Sequence, residues 1–90
     1  MDFKALASNG LGYCYEAKGQ NEKAVEAYEN SAKDSIGGAF SGAAYVNIAR
    51  IYERMKNTPK AIEYYKKASE QKNEALITAL IKRKIAELGS

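Results

Sequence analysis

LGYCYEAKGQNEKAVEAY, residues 11–28, is the stretch on which the fold turns. From Asn21 onward, NEKAVEAYENSAK reads as an ordinary amphipathic helix. The part before it also reads as a helix, yet it holds Gly12 in its interior, close to Gly10 and Gly19. A glycine inside a helix costs roughly 1 kcal/mol against alanine. The ordinary amphipathic helix that follows shows that the glycine does not announce disorder, so some contact must need the missing side chain.

A shift of 37 residues supplies the contact. Phe3 falls on Phe40 and then Ile77, Leu11 on Ile48 and Ile85, and Gly12 on Ala49 and Ala86. Tyr15 matches Tyr52, Ala24 matches Ala61, and Tyr28 matches Tyr65. The capping residues Asn21 and Thr58 keep the same register, with Pro59 set for a first helical position. Each unit therefore reads as a pair of helices: about 3–18 with 21–34, then about 40–56 with 58–71. Gly37 or Gly38 in DSIGG makes the break, and Asn73 caps a fifth helix over about 74–88. The expected fold is all-α, five helices in antiparallel hairpins. Gly12, Ala49 and Ala86 are its flat contact positions, Ala24 and Ala61 face them, and the tyrosines fill the space between.

Composition narrows the function. Ninety residues, 46% apolar and 28% charged, make one small soluble domain with a modest core. No apolar run is long enough to span a membrane, so membrane insertion is not expected. MDFKALASNG lacks a leader pattern, which makes the cytoplasm the default location. The single cysteine forms no intramolecular disulfide, and without histidine the usual acid–base group and metal ligand are missing. The net charge is +3, but lysines alternate with glutamates through most of the chain, a weak footprint for nucleic acid. Neither a cofactor nor a metal is expected.

The pattern L-G-x-x-Y-x-x-x-G-x-x-x-x-A-x-x-x-Y from Leu11 to Tyr28 resembles the tetratricopeptide repeat. A second copy runs through I-A-x-x-Y (Ile48–Tyr52) and A-x-x-x-Y (Ala61–Tyr65), with Lys56 where the glycine belongs. The resemblance covers essentially the whole chain: repeat 1 over about 3–36, repeat 2 over about 40–72, then the C-terminal helix. It implies a short superhelix whose concave groove, lined by the first helix of each pair, binds a peptide or partner protein without catalysis. The groove positions it implies are Asn9, Tyr13, Glu16, Val46, Arg50, Glu53 and Arg54, with Arg83 from the third unit. One subclass grips the C-terminal carboxylate of heat-shock chaperones. The matching positions, Asn9, Tyr13, Val46, Arg50, Arg83 and Glu87, do not form that clamp, so chaperone-tail binding is not expected. The last unit resembles the terminal repeats of bacterial envelope-associated proteins, implying a periplasmic or envelope location if the chain is cut from a longer one.

The individual residues carry plainer readings too. Tyr13 is either an aromatic anchor or a half-buried surface ring. Arg50 and Arg54 lie four apart and can receive a ligand carboxylate or pair locally with Glu53, Glu16 or Glu63. Cys14 reads as a small buried hydrophobe. Lys82-Arg83-Lys84 reads as a solvated triplet suited to the end of a helix dipole. In the fifth helix Leu76, Ile77, Leu80, Ile81, Ile85 and Leu88 spread over an arc of about 180°, wider than one neighbour covers. The alternative function is therefore self-assembly, most simply as a homodimer through that helix.

Overall fold

The computed structural model describes residues 3–35, 41–71 and 75–89. Among these residues run five α-helices and no strand: α1 (Phe3–Ala17), α2 (Asn21–Asp34), α3 (Ser41–Arg54), α4 (Thr58–Ser69) and α5 (Ala75–Gly89). α1 packs on α2 and α3 on α4 as antiparallel hairpins; α2 then meets α3, and α4 meets α5. Gly37, Gly38 and Asn73, read as break and cap, lie outside the described residues, as do the side chains of Leu76 and Ile77.

Both hairpins turn in three residues, by the same device. Gly19 takes φ +74° after α1. Its N–H donates to Glu16 O at 3.0 Å and that of Gln20 to Tyr15 O at 2.9 Å, a Schellman closure of the helix end. In the second unit Lys56 N–H donates to Glu53 O at 3.0 Å and Asn57 N–H to Tyr52 O at 2.9 Å. There the left-handed position, φ +59°, belongs to Lys56, a side chain that such backbone disfavours. The N-caps are Gln20 and Asn57, one residue earlier than the expected Asn21 and Thr58. The residue that completes the Schellman closure also starts the next helix, because Gln20 O and Asn57 O accept from Ala24 N and Ala61 N at 3.0 Å each. Only Asn57 caps with its side chain, accepting from Lys60 N at 3.3 Å, and Pro59 sits beside it in the first turn.

Gly12 is explained by Tyr28. A Cβ built at Gly12 would stand 2.5–2.7 Å from three carbons of that ring, which is itself fully buried. Ala24, Ala49 and Ala61 are likewise fully buried, with Tyr65 at 1% exposure. Ser31 Oγ donates to Ala5 O at 2.8 Å and Ser41 Oγ to Ala32 O at 3.0 Å, satisfying hydroxyls that would be costly unpaired. On the other side of the hairpins Tyr64 OH donates to Glu29 at 2.5 Å, tying α4 to α2, while the Tyr64 ring stacks on Tyr52 at 5.6 Å.

Four expectations are corrected by this packing, the first being Ala86, expected as a flat contact position but exposed on α5. Val46, placed in the groove, is 8% exposed and belongs to the core: α3 has α2 on one side and α4 on the other. Ile81, placed on a self-association face, is fully buried where α5 lies on α4, and Ile85 and Leu88 pack against the same core. Cys14, read as buried, is exposed, whereas Ile51, its mate 37 residues on, is fully buried. Among the described residues α1 packs mainly on α2, which leaves that position uncovered.

Candidate binding groove

Glu16 is the centre of the polar constellation. Its carboxylate, only 10% exposed, accepts from Tyr28 OH at 2.8 Å. Arg50 of α3 approaches both oxygens, at 3.3 and 3.5 Å, and Arg54 Nη1 reaches Oε2 at 2.9 Å. Arg50 Nη2 is further fixed by Asn47 Oδ1 at 2.8 Å. Both arginines thus take the local pairing with Glu16 that their spacing allowed. Their side chains remain 40% and 51% exposed, so donors of each guanidinium still face solvent.

One repeat further on the arrangement recurs. Glu53 accepts from Tyr65 OH at 2.8 Å and from Lys84 Nζ at 3.2 Å. Each unit therefore seats a carboxylate of its first helix on a phenol of its second and pairs it with a cation from the following unit. Burial, then the hydrogen bond to the glutamate and its charge, push the Tyr28 and Tyr65 phenols above their ordinary range. Tyr64 is raised in the same way beside Glu29. Three cations (Arg50, Arg54, Lys84) meet two carboxylates (Glu16, Glu53), which leaves a net positive site.

Between α3, α4 and α5 opens a cleft of about 260 Å³ lined by Arg50, Glu53, Arg54, Tyr65, Leu80 and Lys84. Of the residues expected in a groove, Arg50, Glu53 and Arg54 line it, and Glu16 anchors two of them from beneath. Tyr13 stands 52% exposed with its ring edge-on to Tyr28 at 5.7 Å, next to this constellation but not in the cleft. Asn9 is half-buried on α1 and Val46 is in the core. Arg83 points away, 68% exposed and paired with Glu87 at 3.7 Å. The cleft takes in Lys84, Tyr65 and Leu80, none of which was expected as a groove residue. The same shift of 37 places Lys84 on Asn47, whose bond to Arg50 only the structure shows.

The cleft offers a guanidinium pair, an ammonium, an apolar wall and a phenol ring, which suits recognition of a carboxylate beside an apolar group. Both carboxylates are engaged by phenols and cations. Among the described residues no group of three or more His, Cys, Asp or Glu is placed to hold a metal ion, and no helix is long and apolar enough to cross a membrane.

The family model of the tetratricopeptide repeat matches residues 3–74, the two hairpins without α5. No curated protein and no solved structure matches the chain.

Proposed function

The chain belongs to the tetratricopeptide repeat family, and from that premise we propose that it is a non-enzymatic scaffold taking a peptide or a segment of a partner protein into the α3–α4–α5 cleft. The observation that carries this reading is Glu16. A nearly buried carboxylate, held by Tyr28, fixes Arg50 and Arg54 at the rim of an open cleft with donors to spare. Pre-positioned guanidiniums bind a carboxylate at less entropic cost than free ones. The preferred segment carries an acidic side chain against Arg50 and Arg54 and an apolar one against Leu80 and the Tyr65 ring.

The test is a selection of random displayed peptides on the wild-type protein, followed by anisotropy titrations against Arg50→Ala/Arg54→Ala and Leu80→Ser. Acidic–apolar peptides should emerge and lose about tenfold or more in affinity in either variant, a change of about 1.4 kcal/mol. Circular dichroism confirms that both variants stay helical. Peptides without an acidic residue, or binding that ignores both variants, would sink the cleft reading.

A further inference from the structure

The cleft has an order of charge as well as a surplus of cations. Arg50 of α3 and Glu87 of α5 share one register under the shift of 37, so they hold the same place on two successive first helices. Both face solvent, with side chains 40% and 56% exposed. The row they form changes sign from one wall of the cleft to the other.

Glu87 continues the α5 wall. It follows Leu80 by seven residues and Lys84 by three, and at about 100° per residue the three fall within about 60° of one another. Leu80 and Lys84 line the cleft, and Glu87 stands a turn beyond Lys84 on the same stripe. The Tyr65 phenol, which also lines the cleft, feels both the positive charge of Arg50 and the negative charge of Glu87. Both charges are therefore within reach of one ring.

The two walls are unequal once pairing within the chain is counted. On α3 two guanidiniums share the single carboxylate of Glu16, which leaves positive charge in excess. On α5 Lys84 is engaged by Glu53 at 3.2 Å, and Glu87 meets Arg83 at 3.7 Å in an exposed i,i+4 pair. A surface pair of that kind holds its members weakly, so a cation on a ligand can compete for Glu87. A run of acids laid across the cleft would satisfy Arg50 and Arg54 and then meet Glu87, a like charge.

Resting on the cleft reading above, we propose that the occupant is a bipolar segment of a partner protein, its acid on Arg50 and Arg54 and a lysine or arginine on Glu87. The spacing follows from the fold. α3 and α5 are near enough for Lys84 to reach Glu53, which sets their axes roughly 10 Å apart. An extended chain rises about 3.3 Å per residue, so acid and base stand about three positions apart. The recognised pattern is acid-x-x-base, in one chain direction or the other, with an apolar side chain for Leu80 and Tyr65.

Anisotropy titrations at low ionic strength, where exposed charges are least screened, test the proposal with four labelled peptides sharing one apolar residue. They are acid-x-x-base, base-x-x-acid, the same residues with acid and base adjacent, and a version with the base replaced by glutamate. One spaced peptide should bind about threefold more tightly than the adjacent one, and about tenfold more tightly than the all-acidic one. Glu87→Lys should reverse the last preference while leaving the helical dichroism unchanged, and Arg50→Ala/Arg54→Ala should weaken all four peptides. Binding that is lost with the arginines but indifferent to Glu87→Lys would leave the cleft reading standing and overturn the bipolar one. Binding that ignores the arginines as well, or none by any of the four, would overturn both.

Discussion

α1 and α3 hold the same place in two successive units, yet they live in different surroundings. α3 is enclosed by α2 and α4, and eight of its residues are buried, among them Ala44, Val46, Ile48 and Ile51. Among the described residues α1 packs mainly on α2, and its matching Ala7, Leu11 and Cys14 are exposed, with Asn9 half-buried. The repeat therefore dictates which face of a helix looks inward, while position in the array dictates how much of the remainder is covered. In a stacked repeat the energy of a site belongs partly to its neighbour.

The sharpest way to break the parallel is to truncate the same register position in both units. Ile48→Ala, at a fully buried site, should cost about 2–5 kcal/mol in urea unfolding. Leu11→Ala, at 53% exposure, should stay within about 0.5 kcal/mol. Equal losses would mean that α1 is as enclosed as α3. The two glutamates come next. Glu16→Ala strands a buried phenol and two guanidiniums and should cost about 1–3 kcal/mol. Glu53→Ala, where water reaches a carboxylate 28% exposed, should cost about 1 kcal/mol or less.

The hairpin turns supply a smaller contrast. Lys56→Gly should raise stability by about 1 kcal/mol by relieving left-handed strain, and Gly19→Ala should lower it by about as much. Thermal melts of both variants read the difference directly, and a Lys56→Gly variant no more stable than wild type would show the strain to be compensated. Protons have the smallest effect in the ordinary working range. The folded state raises the phenols of Tyr28, Tyr64 and Tyr65, so it favours their protonated form. Stability from this source is complete below the unfolded tyrosine value of about 10 and falls as pH rises beyond it. Urea midpoints measured from neutral to strongly alkaline pH should be flat first and then decline.

Much of this could be read before any coordinates, because one shift of 37 carried apolar, small and turn positions together. Gly12 is the clearest case: register alone marked it as a close-packing position, although the group that presses on it is Tyr28 rather than the facing Ala24 expected. The caps were displaced by one residue because a single residue, Gln20 or Asn57, both closes one helix and opens the next. Val46 and Ile81 were misplaced for a different reason: a helical face is visible in a sequence, but the number of neighbours pressed against it is not. Lys84 was missed because Lys82-Arg83-Lys84 was weighed as a local run of charge. The pairing of Arg50 and Arg54 with Glu16, 34 and 38 residues away, was legible only as one option among several.

The cleft has one wall on α5, which contributes Leu80 and Lys84 and rests chiefly on α4. Among the described residues α5 is held along one side, and an element held that way is the first to open. Whenever it lifts, the cleft opens flat and Glu53 loses its lysine, while the α1–α2 hairpin is untouched. If the cleft binds a segment as proposed, its readiness is a population, and apparent affinity would scale with the fraction of molecules whose α5 is docked. A bound segment spanning α3 and α5 would act as a clasp, and amide exchange along residues 80–88 would slow in proportion to its occupancy.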